Sequence, residues 1–314
     1  MNKKAFILPL LMAALFLVFG CKGGNKAPVE DGQAEAAEAA EAPEMAPAGP
    51  AYDLEAIAKT IAGCDYLENF HNGAAAFRRD GLWMYVDKKG DIVDKPAGEE
   101  AEEVPVPDDI RQKFGYVGDF HEGLCWVYSE DDGNDGIGYV DEKGELVIPC
   151  QYEWAVDHTP RDFHEGLCPV MTLPDRELYS YIDKTGALAF PGYYSSCSNF
   201  SEGLAYAREF VMDGDDVKEI RSGYIDKTGK IVIPLDENCS GGEFHDGIAK
   251  VYAYMDGQGW MIDKQGNKLF DLDPERYYLG EDLFFSEGLC AFTAPGGLRG
   301  FLDKTGCTTL SAGL

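Results

Sequence analysis

From residue 66 onward the chain alternates short apolar runs with polar, glycine-bearing turns, the pattern of strands in tight succession rather than of helices. One stretch before it has helical period. Leu54, Ile57, Ala58 and Ile61 recur at i, i+3, i+4 and i+7, behind Asp53 as N-cap and ahead of Gly63 as terminator. This predicts a short helix within residues 52–65 that caps an exposed end of the strand region. In the strand region six apolar pairs, Tyr85-Val86, Tyr139-Val140, Tyr181-Ile182, Tyr224-Ile225, Met261-Ile262 and Phe301-Leu302, each lead into Asp-x-x-Gly. Neighbouring residues of a strand point to opposite faces, so both faces are expected to be covered, as in sheets stacked on one another. The six turns begin at Asp87, Asp141, Asp183, Asp226, Asp263 and Asp303. Asp caps the turn backbone and Gly supplies positive φ. On this reading Gly229 occupies such a position and Gly257, outside the motif, does not.

A second landmark, Phe-x-x-Gly, begins at Phe70, Phe120, Phe163, Phe200, Phe244 and Phe285, with spacings of 50, 43, 37, 44 and 41 residues. A period near 43 residues is that of one supersecondary unit repeated. The clearest copy runs from Phe200-Ser201-Glu202-Gly203-Leu204-Ala205 to Gly223-Tyr224-Ile225-Asp226-Lys227-Thr228-Gly229-Lys230-Ile231-Val232-Ile233-Pro234. These motifs resemble the bacterial WG repeat family, although the Trp-Gly pair is intact nowhere: Met84 follows Trp83, and Trp260 takes the glycine's place. The resemblance implies an all-β scaffold of six WG-like repeats over residues 66–314. An open, solenoid-like stack of hairpins or three-stranded units is the first expectation and a six-bladed propeller the alternative, since both share this period.

Composition adds an address. Lys3 and Lys4 precede an apolar run from Ala5 to Phe19, too short for a confident membrane span, which reads as a signal peptide over residues 1–20. Val18-Phe19-Gly20-Cys21 resembles a lipoprotein processing site, which implies lipidation at Cys21 and a membrane anchor at the outer membrane or cell surface. Residues 21–51, rich in Ala, Glu and Pro, read as a disordered tether. With 27 basic against 56 acidic residues the net charge is −29, which repels phosphate backbones, so no nucleic-acid partner is expected.

Candidate chemistry is sparse. His71, His121, His164 and His245 share the slot after the landmark Phe, where Ser201 and Ser286 stand in two copies. Copies held a whole unit apart would not let these rings converge on one ion, so no metal site is expected of them. Asp131, Asp132 and Asp135 with Glu142 approach a calcium loop, but Gly133 breaks it at the third position. The repeated Glu122, Glu165, Glu202 and Glu287 belong to turns, and no nucleophile, phosphate-loop or zinc-protease motif stands out. No catalytic residue, cofactor or metal is therefore expected. Of the eight cysteines after Cys21, Cys125, Cys168 and Cys290 fall where other copies have Ala75, Ala205 and Ala249, a small buried slot rather than a full disulfide framework.

The distance from landmark Phe to landmark Asp varies from 17 to 26 residues, so variation is confined to one connection per unit. The longest, from Phe210 to Arg221 with Asp213, Asp215 and Asp216, and the acidic 130–135 segment are the candidate contact loops, suited to a basic partner or a cation. Together these features point to a non-catalytic binding or scaffold module of the cell envelope with a protein or glycan partner. An envelope glycan hydrolase on a propeller is the alternative.

Overall fold

The computed structural model describes residues 52–97, 105–129, 136–153, 162–173, 175, 177–214, 216–255, 257–273 and 284–310. All belong to one compact unit, Pro47–Leu314. The signal peptide, Cys21, the tether, Asp131, Asp132, Asp135 and Asp215 lie outside the described residues. Within them, no helix is long and apolar enough to cross a membrane.

The six sequence repeats are six antiparallel units. The first comprises β1 (Tyr66–His71), β2 (Ala74–Arg79), β3 (Leu82–Asp87) and β4 (Ile92–Val93), and the second β5 (Tyr116–His121), β6 (Leu124–Ser129), β7 (Gly136–Asp141) and β8 (Leu146–Tyr152). The third contributes β9 (Leu167–Leu173) and β10 (Leu178–Asp183), and the fourth β11 (Tyr194–Cys197), β12 (Ala205–Asp213), β13 (Asp216–Ile225) and β14 (Ile231–Leu235). β11 also touches β10, so these two units read as one six-stranded sheet. The fifth holds β15 (Cys239–Gly241), β16 (Ile248–Ala253), β17 (Gly259–Asp263) and β18 (Lys268–Leu272); the sixth holds β19 (Leu289–Thr293), β20 (Arg299–Asp303) and β21 (Thr308–Leu310). Among the described residues the helices are α1 (Leu54–Thr60), capped by the Asp53 side chain as expected, and α2 (Asp108–Lys113), which the apolar pattern did not reveal.

Both landmarks are hairpin turns. In every Asp-x-x-Gly turn the aspartate Oδ1 accepts the backbone N–H groups two and four residues on, at 2.8–3.2 Å. The closing glycines have φ of +78 to +85°. In Phe-x-x-Gly the third and fourth residues both take positive φ, at 51–54° and 79–92°, the conformation of a two-residue hairpin turn matched to strand twist. Gly257 also has positive φ, +68°, contrary to the sequence reading. What separates it from Gly229 is packing. A Cβ at Gly229 would meet the Phe190 ring at 2.5 Å, whereas one at Gly257 would meet nothing within 4 Å.

The expectation that both sheet faces are covered is met residue by residue. Tyr224 and Ile225 are adjacent and both fully buried; Tyr224 joins the core shared with the fifth unit, Ile225 the core shared with the third. The small slot is equally regular, with Ala75, Cys125, Cys168, Ala205, Ala249 and Cys290 at 0–1% exposure. All eight described cysteines are free thiols and seven are buried. Burial pushes the Cys125 thiol up to about 11 and the Cys290 thiol up to about 12, which keeps them protonated and unreactive.

The arrangement of units is the closed one. Phe70 of the first unit packs on Phe301 of the sixth with ring centroids 5.0 Å apart, and Leu289 and Phe301 share a core with Ile57, Leu67 and Phe77. The sixth unit also bonds the first directly. Ser286 Oγ donates to the Phe70 carbonyl at 2.6 Å, and Asn69 Oδ1 accepts from the Ala291 N–H at 2.6 Å. The all-β repeat array thus closes into a ring, the alternative of the two expected arrangements, and leaves no end for α1 to cap. Instead α1 wedges between β21, β20 and β3, with Ala56 and Ile57 against Gly90.

Candidate functional site: the unit junctions

One contact set recurs around the ring. At the junction of second and third units, the Glu122 carboxylate accepts the backbone N–H groups of Glu165 and Gly166 at 2.6 and 2.9 Å, while Lys184 bonds the same carboxylate at 3.0 Å and the Glu122 carbonyl at 2.7 Å. Each acid, held at positive φ, therefore caps the turn of the next unit and is clasped by that unit's lysine. The pattern repeats as Glu165 with Gly203 and Lys227, Glu202 with Gly247 and Lys264, Asp246 with Gly288 and Lys304, and across the closure as Glu287 with Gly73 and Lys88. Partial burial alone would raise the carboxyls of Glu122, Glu165 and Glu287. The lysine and backbone N–H bonds outweigh it, and all three fall below the ordinary glutamate value. Sequence reading placed these acids in turns but missed the clasp, because each acid's partner lies one unit further on.

Aromatic contacts follow the same rule: the residue two before the landmark Asp packs on the next landmark Phe. Tyr139 meets Phe163 at 5.0 Å, Tyr181 meets Phe200 at 5.1 Å and Tyr224 meets Phe244 at 4.8 Å between ring centroids. Tyr181 and Tyr224 also donate across their junctions to the Ser198 and Gly242 carbonyls, at 2.6 and 2.9 Å.

The junction of the first and second units departs from this. Asn72 replaces the acid and Glu142 replaces the lysine, so neither half of the clasp is present. Tyr85 and Phe120 are only partly buried, whereas their counterparts in the other five units are 0–2% exposed. The core on that side of the second unit is completed by Val106, Ile110 and Phe114, with Ile110 set against Gly144 where the third to sixth units meet Ile148, Phe190, Ile233 and Phe270 of the preceding unit.

The histidine slot also differs from expectation. The ring brings adjacent copies together: the His121 and His164 ring centroids are 5.7 Å apart, and Asp162 stands beside them with Oδ2 3.5 Å from His121 Nε2. The two serines of the slot are structural, Ser201 donating to the Phe244 carbonyl and Ser286 to that of Phe70.

The 210–221 connection, expected as a loop, is a continuation of β12 and β13, paired through to Asp213 and Asp216. The buried part of these two strands, Ala205–Ala207 and Ser222–Ile225, lies outside that segment. Beyond Ile220 and Val211 the residues are exposed or partly exposed on both faces, with Asp213, Asp216 and Val217 at the tip. Asp213 and Asp216 are thus paired across the ends of β12 and β13, while the 130–135 candidates lie outside the described residues.

These contacts define a closed, propeller-like ring of six β-sheet units. The repeat itself is the WG containing repeat, whose family profile matches residues 62–83, 137–172, 179–209 and 223–252. No protein of curated function matches it in sequence. Similar solved structures include the computationally designed Ika8 protein, 14% identical with TM-score 0.34, where 79% of this chain covers 86% of that one. BamB from Moraxella catarrhalis is 13% identical with TM-score 0.31, over 76% of this chain and 73% of that one. KlHsv2 with loop 6CD replaced by a Gly-Ser linker is 10% identical with TM-score 0.36, over 77% and 79%. Likeness at this level bears on nothing the chain does.

Proposed function

We propose that this chain is an exported β-repeat module, anchored by lipid at Cys21, that binds a partner in the cell envelope without catalysing a reaction. The observation that carries the reading is the projecting hairpin of β12 and β13. Ordering a strand pair costs conformational entropy, and its outer half recovers little of that through burial within the fold. A strand-paired, exposed element of this kind on a packed scaffold suits recognition. Its tip carries Asp213 and Asp216, and Glu219 pairs with Arg221 on its flank, so a basic protein surface is the complementary partner. The repeated carboxylates support the non-catalytic half of the proposal, since Glu122, Glu165, Glu202, Asp246 and Glu287 are each engaged by a neighbouring turn and a lysine.

The test places a photo-crosslinking residue at Val217 and, separately, replaces residues 211–220 by Asn-Gly. Expected is a specific envelope adduct from position 217 and loss of partner capture in the trimmed chain at an unchanged melting temperature. Capture that survives trimming contradicts the hairpin as the contact. Anchoring is tested independently by Cys21→Ser, which is expected to abolish fatty-acid labelling.

A further inference from the structure

We infer that His121, Asp162 and His164 bind one divalent transition-metal ion of the zinc class at the junction of the second and third units. Their ligand atoms, one from each side chain, all lie within 4.8 Å of one another, the one such group among the described residues. Four donors about 2.1 Å from a tetrahedral ion stand about 3.4 Å apart. The 3.5 Å between His121 Nε2 and Asp162 Oδ2 is that separation, and it is longer than an ordinary charge-assisted hydrogen bond. The remaining spread closes through side-chain torsions. Two imidazoles and a carboxylate suit zinc, nickel or cobalt better than calcium or magnesium, which take oxygen ligands.

A second observation points the same way. Asp162 Oδ1 is buried and has no hydrogen-bond partner. A buried carboxylate oxygen left unpaired is costly unless a cation meets it. At the same slot in two other units the side chain is occupied, Asn69 accepting the Ala291 N–H and Glu243 the Asn199 N–H at 3.2 Å, while the Asn199 oxygen is buried and unpaired like that of Asp162 but carries no charge. Asp162 alone of these four faces two histidines. Burial pushes its carboxyl up, Asp119 nearby pushes it further, and both histidines counter this. Asp119 thus adds negative charge at the rim.

The ring supplies its own controls. One junction earlier the same slots hold His71, Asp119 and His121, and these do not converge. At the junction of fifth and sixth units Phe284 takes the carboxylate's place and packs on His245 at 5.1 Å. The site therefore depends on both the residue set and a tightly closed junction. Exposure of 43% at the His121 side chain leaves a coordination position open to water. This inference is independent of the hairpin reading.

The test titrates Zn2+ alone into the full-length protein carrying Cys21→Ser and Cys307→Ser, which removes the lipidation-site thiol and the exposed thiol among the described residues, and follows binding by calorimetry. Co2+ is used in parallel for its visible spectrum. Expected is one equivalent in the parent, a loss of affinity of about tenfold or more in Asp162→Asn and in His164→Ala, and no change in His71→Ala or His245→Ala. Bound Co2+ is expected to lack the thiolate charge-transfer band. Absence of saturable binding in the parent, equal affinity in the Asp162→Asn/His164→Ala double variant, or a thiolate band each overturns the assignment.

Discussion

Two junctions flank the first unit, and they are built differently. On one side Glu287 and Lys88 clasp the sixth unit to the first over a chain separation of 199 residues, with Phe70 and Phe301 buried beneath. On the other side the first and second units are consecutive in the chain, yet Asn72 and Glu142 cannot form the clasp and Tyr85 and Phe120 are only partly buried. The junction that must be held by contacts alone has the full set. The junction between these consecutive units lacks it, and there α2 packs on the second unit. Chain continuity does not account for the difference, because the four junctions from the second unit to the sixth are also consecutive in the chain and keep the clasp; what sets the first-to-second junction apart is its own residues and α2.

The comparison can be broken most forcefully at the buried contacts. Gly229→Val forces a β-branched side chain into positive φ and against Phe190, at a clasped junction, and is expected to cost about 3 kcal/mol or more. Gly257→Val meets open space and should cost about 1–2 kcal/mol from backbone strain alone. Equal midpoints in chemical denaturation would contradict the packing account. Of similar size, Phe70→Ala at the closure should cost about 3–5 kcal/mol, and Phe120→Ala at the looser junction about half of that.

The clasp itself is a smaller quantity. Glu287→Asn keeps a residue that tolerates positive φ while removing the carboxylate, and so copies the first-to-second junction into the closure; about 1 kcal/mol is expected. Conversely, Asn72→Glu with Glu142→Lys should install the clasp. Neither change alone should stabilise, and a double-mutant cycle is expected to give a coupling of about 0.5–1 kcal/mol. The sign of the pH effect follows from the lowered carboxyls of Glu122, Glu165 and Glu287. Their contribution is fully present above the unfolded-state value near 4.5 and is lost as pH falls through the lower folded-state values. Glu287→Asn should therefore show a shallower loss of stability with acidification than the parent, measured by urea unfolding between about pH 5 and pH 3.

Much of this ring is written in the local sequence, because a turn depends on residues three or four apart. Asp226 and Gly229 announce their hairpin, and Tyr224-Ile225 announce a strand buried on both faces. Closure is also written, but only when acid and lysine are compared one unit out of step. Lys88 has no acid in a preceding unit unless the sixth unit precedes the first, and Glu287 requires the same. What stayed hidden depended on three-dimensional approach. His121 and His164 are 43 residues apart, yet they converge because the ring sets their turns side by side. The 210–221 segment is polar enough to read as a loop, and only its cross-strand register marks it as a hairpin. The short helix α2 offers a single buried residue, Ile110, too little for a period to emerge.

Closure is tested most directly by zero-length carbodiimide crosslinking of the monomer, read by peptide mass spectrometry. Lys88 Nζ lies 3.0 Å from the Glu287 carboxylate, as close as Lys184 to Glu122 and Lys227 to Glu165. The ring predicts an intramolecular Lys88–Glu287 link in similar yield to the other two. An open stack would give the Lys184–Glu122 and Lys227–Glu165 links without it, and that result would contradict the closed ring.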